Sequence, residues 1–370
     1  MDRTRLVVIA GQPREAAGQV ATRLLGPDTA VVHHDLRRVA DGILRRRLRT
    51  AGSDVTAVLE MAHGCVSCAL REDVLPLLER LDGQVGTVVL HLDPMVEPEP
   101  VCQLVDVDLV VTVVHEPSWL TDCTGDEPVP HSPEHDDRTL AQVTVGQTEC
   151  ADLLVLAGVA EPWTAARTAA ALERLAPGIG RQRLTDFGPG SLVGPRRGEL
   201  IDIHGQLLRG QPPLGSDCGV AVTLFRERRP FHPERLHEAI DVLLDGVIRA
   251  RGRVWVATQP DVALWLESAG GGLRVGDAGT WLAALDDASW DRAPADRRAK
   301  AALDWHPRYG DRVQEIAILT HDADPEHLHA VLSRALLTDS ELASDWSSLT
   351  DPFAIAASAN SGPADNRGRS

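Results

Sequence analysis

The sequence predicts a doubly wound α/β domain followed by a smaller α+β domain. Short apolar runs such as Arg5 to Ala10, Thr87 to Leu92, Asp108 to Val114 and Leu153 to Ala157 have the unbroken hydrophobicity of strands buried on both faces of a parallel sheet. Segments of helical periodicity alternate with them, as βα repeats require. Between about Gly178 and Asp217 both patterns give way to Gly, Pro and Arg, with Gly188-Pro189-Gly190 and Pro212-Pro213 as the clearest breaks. These features place a first domain at 1–180, a linker at 181–217 and a second domain at 218–340. A polar tail at 349–370 is expected to be disordered.

The first strand stops at Gly11, and Glu15 to Leu25 follows with helical potential. Val31-Val32 opens a second strand, the arginine-rich stretch Arg37 to Arg49 reads as helix, and Val55 to Met61 is a third strand. After the turn at Gly64, Leu70, Val74, Leu77, Leu78 and Leu81 form one apolar helical stripe. A short element near Leu200 to Ile203 interrupts the linker. In the second domain Val220 to Phe225 is a strand, and His232-Pro233 opens a helix with proline at its first position, where a missing N–H costs nothing. Leu236, Ile240, Leu243, Leu244 and Val247 line that helix. Arg253 to Thr258, Ala263 to Glu267 and Val313 to Thr320 read as strands, and Asp324-Pro325 caps a closing helix bearing Leu328, Val331, Leu332 and Leu336.

A net charge of −17 excludes a nonspecific nucleic-acid binder, because affinity for phosphate rests on positive charge. A basic partner is easier to accommodate, and no sequence-specific DNA binding is expected. The exception is local: Arg37, Arg38, Arg45, Arg46, Arg47 and Arg49 make either a solvated face or an anionic contact surface. No run approaches the roughly 18 apolar residues of a bilayer crossing, so a cytoplasmic, membrane-free protein is expected. Six scattered cysteines suggest reduced thiols. Lys300 is the only lysine, and Asn360 and Asn366 are the only asparagines.

Cys65 and Cys68 form a Cys-x-x-Cys pair where a turn opens a helix. That position favours thiolates and offers half of a tetrahedral zinc shell, a redox couple, or two inert thiols in a turn. His63 is either a further ligand or a solvent-facing turn residue. Cys102 reads as a core thiol on a helix, and His131 and His135 as polar loop. No thioredoxin-like sequence surrounds the pair.

The stretch Gly64-Cys65-Val66-Ser67-Cys68-Ala69-Leu70-Arg71-Glu72-Asp73 resembles the Gly-Cys-x-Cys-Cys-x-x-Arg-x-Asp motif of CobW-like P-loop GTPases, with Ser67 in place of the middle cysteine. The resemblance continues through Arg228 to Leu236, Gly246 to Gly252, Trp265, Ala269-Gly270-Gly271, Trp281 and Gly310-Asp311-Arg312, so it covers nearly the whole chain. It implies a P-loop GTPase-like domain followed by a CobW C-terminal domain. Within the family, Val8 to Gln12, Ala62 to Cys68, Val143 to Gln147 and Trp265 to Val275 look most like an actinobacterial branch that recruits a ribosome hibernation factor. That likeness implies an adaptor bringing the factor to ribosomes under zinc limitation, with the ribosome and the factor as partners. The alternative it implies is a GTP-dependent zinc metallochaperone. Zinc is then the expected metal, with Cys65, Cys68 and His63 as its candidate ligands.

The nucleotide machinery departs from that family. A P-loop needs a nest of N–H groups, a lysine for the terminal phosphates and a Ser/Thr hydroxyl on magnesium. With Gly11 on the first glycine, Ala17 falls on the lysine and Gly18 on the hydroxyl, Pro13 removes an N–H, and Glu15 adds negative charge. Gly11 and Gly18 are the nucleotide-site residues that survive in this vestigial loop. Arg14 is a poor candidate to supply the lost charge, since its fork lacks a lysine's compact reach. Ala157-Gly158-Val159-Ala160 stands where Asn-Lys-x-Asp should read guanine, and Asp93, in the acidic segment, is either a displaced magnesium ligand or a structural aspartate. GTP with Mg2+ is therefore a doubtful ligand, hydrolysis is doubtful with it, and no residue is assigned a catalytic role.

Overall fold

The computed structural model describes residues 3–192, 207 and 211–354. The chain divides into two compact units, one built on the first 200 residues and one on most of the remainder. The short element expected near Leu200 to Ile203 lies outside the described residues.

The first unit is an eight-stranded sheet ordered β4-β3-β2-β5-β1-β6-β7-β8. Its strands are β1 (Arg5–Ala10), β2 (Thr29–Asp35), β3 (Ile43–Thr50), β4 (Ser53–Glu60), β5 (Thr87–His91), β6 (Leu109–His115), β7 (Leu153–Ala157) and β8 (Gly180–Arg183). From β2 through β8 the neighbours run parallel. Helices are α1 (Arg14–Arg23), α2 (Val66–Ala69), α3 (Leu75–Leu81), α4 (Pro98–Leu104), α5 (Trp119–Thr124), α6 (Leu140–Glu149) and α7 (Pro162–Leu175). The two sides of the sheet bury separate clusters. Val8, Val32 and Leu90 pack with Leu70 and Leu77, while Val7, Ile9 and Val89 pack with Val20 of α1. This double burial is why the central strands read as continuous apolar runs.

Two expectations fail here. The arginine-rich stretch is β3, paired antiparallel with β2 and β4, not a helix. Its residues alternate: Leu44, Arg46 and Leu48 share one face, and Arg45, Arg47 and Arg49 the other, which is a strand period. Leu44 and Leu48 join the core while Arg45 and Arg47 stay exposed, so burial overrode the helix propensity of arginine. The first unit also extends past residue 180, because β8 and the turns Leu184–Asp186 and Pro189–Ser191 belong to it.

The second unit is an antiparallel sheet ordered β12-β11-β10-β13-β9. Its strands are β9 (Val220–Glu227), β10 (Val247–Val254), β11 (Val262–Ala269), β12 (Gly272–Thr280) and β13 (Gln314–His321). Helices α8 (Pro233–Ala239), α9 (Asp287–Arg292), α10 (Ala295–Leu303), α11 (Pro325–Ala335) and α12 (Asp339–Leu342) complete it. Leu236 and Ile240 pack with Leu328 and Leu332 against Phe225, Ala250 and Ile316 of the sheet. The helix after His232 is shorter than its apolar spacing suggests. It tightens into a turn at Ile240–Leu243, and Val247 begins β10.

The first residues of the expected tail, 349–354, are folded onto the second unit. Asp351 accepts hydrogen bonds from Thr258 at 2.6 Å and Gln259 at 2.8 Å, and Phe353 is buried in the second core beside His237. Residues 355–370 lie outside the description. Phe353→Ala should lower unfolding stability by about 3 kcal/mol, measured by chemical denaturation; a change within about 0.5 kcal/mol would remove Phe353 from the core.

Candidate functional site

The Cys-x-x-Cys turn is held by its flanks. A Cβ on Gly64 would overlap the Val39 carbonyl oxygen, so only glycine lets the turn lie against the Val39–Asp41 segment. Cys65 caps α2: its sulfur accepts the Cys68 N–H at 3.2 Å, and the two sulfurs lie 2.7 Å apart. Both thiols are half-buried. The hydrogen bond to Cys65, then burial and the neighbouring thiol, push the Cys68 thiol above its ordinary value. The chain continues through a widened turn at Leu70–Val74 into α3. Within that turn Asp73 bonds the ring of buried His34 at 2.7 Å and pairs with Arg46, joining the cysteine segment to β2 and β3. Burial alone would raise the Asp73 carboxyl, but His34 and Arg46 together hold it below the usual carboxylate range.

Two thiols suit zinc. Tetrahedral coordination at about 2.3 Å per bond would set the sulfurs about 3.8 Å apart, so the pair must open by about 1 Å. His63 is not brought to them: its ring is exposed, and its backbone oxygen accepts the Cys65 N–H. Among the described residues no three His, Cys, Asp or Glu side chains converge as a metal cage. Cys102 lies on α4, a helix as expected, but it is half-buried against the core rather than within it.

A cavity of about 560 Å³ opens at the carboxyl ends of β1, β6 and β7, where ligands bind in open α/β sheets. Its wall includes Arg14, Glu15, His115, Ser118, Asp122 and Gly158. At one end Arg14 pairs with Asp93 at 2.9 Å, and Asp93, nearly wholly buried, also accepts the N–H groups of Leu36 at 3.0 Å and Met95 at 3.3 Å. Asp93 is therefore a structural aspartate, and Arg14 is committed to it. Pro13 stands at the head of α1 with no side-chain cap. Gly11 turns at φ +137, where a Cβ would overlap the Val113 carbonyl oxygen; the close approach of β1 to β6 explains this glycine without a phosphate. Gly18 and buried Ala17 lie within α1. These residues do not fit GTP with Mg2+, because no lysine, magnesium hydroxyl or guanine-reading carboxylate stands at the expected positions.

The other end carries a chain the sequence reading missed. Ser118 donates to Asp122 at 2.8 Å and lies 2.9 Å from His115 Nδ1. The signal was available: these residues follow directly on the carboxyl end of a parallel strand. Behind α1, His33 and His91 stack with ring centroids 4.3 Å apart. Burial, with the charges of His33 and Arg14, depresses His91 to about 3.

Residues 220–336 match the cobalamin synthesis protein cobW C-terminal domain, and residues 22–175 match the CobW/HypB/UreG nucleotide-binding domain, a match that begins downstream of the loop at Gly11 to Gln19. The chain belongs to the CobW family. A Mycobacterium tuberculosis relative, "Zinc chaperone Rv0106", is 42% identical over 388 residues, covering 95% of this chain and 93% of the relative. A Dictyostelium discoideum relative, "Zinc-regulated GTPase metalloprotein activator 1", is 24% identical over 354 residues, covering 84% of this chain and 73% of its own. Among solved structures, a Zn(II)-bound triple mutant of YjiA GTPase matches with a TM-score of 0.40 at 14% identity, over 91% of this chain and all of that one. No helix among the described residues of this CobW-family chain is long and apolar enough to cross a membrane.

The buried His91 sets a pH dependence. Its folded value lies below that of the unfolded chain, so between pH 6.5 and about 3 the unfolded state binds the extra proton. Its contribution is intact above pH 6.5 and declines on acidification by up to about 1.4 kcal/mol per pH unit. His33, also depressed by burial, acts in the same direction. Denaturation from pH 7 to 4 should show this slope in the native chain and a shallower one in His91→Phe; identical slopes would assign the acid sensitivity elsewhere.

Proposed function

We propose that this protein is a CobW-family zinc carrier that holds zinc at Cys65 and Cys68 and passes it on without depending on GTP hydrolysis. The observation that carries the reading is the half-buried pair of convergent sulfurs, beside which no third His, Cys, Asp or Glu converges among the described residues. Structural zinc sites are closed by four protein ligands, whereas two thiolates leave positions for an acceptor's own ligands. The names of the relatives support zinc as the cargo. The altered phosphate end of the cavity argues against hydrolysis as the drive. Zinc binding displaces the thiol protons, so loading weakens as pH falls.

Zinc competition with a chromophoric chelator tests the reading at pH 7.5. The native chain should take up about one zinc per molecule, and the Cys65→Ser, Cys68→Ser double variant should bind at least a hundredfold more weakly. Equal affinity would reduce the pair to a structural turn.

The adaptor reading is second, favoured by the charge of −17, which suits a basic hibernation factor. On this reading the chain co-sediments with ribosomes only when the factor is present. Equal pelleting with and without it would end the adaptor reading.

A further inference from the structure

A second hollow opens at the amino ends of β1 and β5, on the sheet edge opposite the carboxyl-end cavity. Leu6 and Val88 face each other in the parallel register and form its buried floor. Its walls come from two helices: Leu75 and Leu78 of α3 are half-buried, and Leu104, which closes α4, is 45% exposed. A lone exposed leucine needs no explanation. Here apolar side chains from both helices converge on one concavity, and Leu78 packs only partly against the core beneath.

The rim is acidic. Glu79 on α3, Asp82 just after it and Asp106 just after α4 all reach solvent beside the hollow. Arg3 is the cation in the lining, and it is held by the Asp108 carboxylate and, at 3.3 Å, by the Asp106 carbonyl oxygen. These groups decide what fits. At about 250 Å³ the hollow is smaller than the roughly 300 Å³ at which small-molecule sites begin, but it has room for the apolar anchors of a docked chain. A nucleic acid or an anionic lipid surface would meet like charge. A second copy would bring the same acidic rim and a net charge of −17.

We propose that this hollow docks a basic amphipathic helix of a partner protein, with its apolar anchors seated between α3 and α4 and its Lys or Arg flanks facing Glu79, Asp82 and Asp106. A helix presents anchors at i, i+3 and i+4, the form that a hollow between two helices receives. Burial of the anchors supplies the affinity, and the opposite charges speed encounter and set orientation. The inference rests on neither the zinc nor the adaptor reading, since it involves neither the cysteine turn nor a ribosome, and its test contains neither.

Fluorescence anisotropy on the full chain would use a labelled Leu/Lys peptide of about four helical turns, with leucine at i, i+3, i+4 and i+7. Its controls are a scramble of the same composition without an apolar stripe and a Leu/Glu peptide of the same pattern. The patterned basic peptide should bind saturably, the scramble at least about tenfold more weakly, and the Leu/Glu peptide not at all. Leu104→Gln should weaken the patterned peptide by about fivefold or more. Glu79→Gln combined with Asp106→Asn should weaken it and flatten its salt dependence, with the melting temperature kept because these side chains face water. Trp163→Ala, at an exposed tryptophan on α7, should leave binding unchanged. A scramble that binds as tightly would reduce the effect to bulk charge and overturn the proposal. So would undiminished binding by the folded α3 and α4 variants, an equal loss in Trp163→Ala, or no saturation by about 100 µM peptide. Self-association of the native chain that Leu104→Gln abolishes would give the hollow to a second copy and overturn it as well. The three-peptide comparison, with hydrogen exchange slowed at 75–82 and 102–106 by the patterned peptide, is made on the native chain, so a misfolded variant leaves the test intact.

Discussion

One buried carboxylate organises the carboxyl edge of the first sheet. Asp93, just beyond β5, accepts the Leu36 N–H from the segment after β2, the Met95 N–H from its own loop, and the Arg14 guanidinium from the head of α1. A carboxylate removed from water is costly unless paired and hydrogen-bonded, and all three donors answer that cost. The connections after β1, β2 and β5 are thereby tied to one point, and the cavity inherits its shape from them. The same pairing decides the cavity's chemistry. Arg14 is the cation best placed to serve a phosphate, and it is the one Asp93 requires. Gln12 strengthens the tie: its amide donates to Pro94 at 3.0 Å, and Gln147 donates to the same carbonyl at 2.9 Å.

A second carboxylate does the corresponding work for the cysteine turn. Asp73 reaches His34 and Arg46 from the widened turn after α2, so the cysteines are referred to β2 and β3 through side chains as well as through the close packing of Gly64. The end of β2 faces both regions. His34 bonds the cysteine segment, while Asp35 sits beside Arg14 and the Leu36 N–H serves Asp93. Asp35 is held at about 2, first by the Arg37 hydrogen bond, so it stays charged across the physiological range. The Asp35 contacts with Arg37 and Arg14 thus keep their charge near neutrality and anchor the end of β2 beside the cysteine turn.

The parts that were legible in the sequence are those governed by burial on two faces. β1, β5, β6 and β7 are central parallel strands, and their apolar runs leave little room for another reading. Edge elements were harder. β8 reads Gly-Arg-Gln-Arg, because a short edge strand has half its surface in water and no need of an apolar run. β3 was hidden by its arginines, since helix propensity and strand alternation conflict there and only the buried partners of Leu44 and Leu48 resolve the conflict. The cysteine pair was visible because its two thiols are three residues apart. Spacing could not show that His63 stays exposed and outside any three-ligand cluster among the described residues. Asp93 and Asp122 show the remaining limit. Each is a single carboxylate in a loop, and only the fold reveals that one is buried among three donors and the other faces a cavity.

The openness of the cysteine site bears on how zinc would leave it. A closed four-ligand site holds zinc with apparent free energies of about 10 to 16 kcal/mol, which is useful for folding and obstructive for delivery. With Ser67 in the middle of the motif, this chain offers two sulfurs at 65 and 68, and water must complete the shell of any zinc held by the pair alone. On the zinc-carrier reading proposed above, an incoming ligand would displace water before any sulfur departs, and exchange would proceed through shared coordination. Such a pathway depends on the turn keeping its sulfurs accessible while its backbone stays fixed, the division of labour that Gly64 and Asp73 impose. On that reading release would follow from stepwise ligand substitution at a rigid turn, without a nucleotide-driven change of shape.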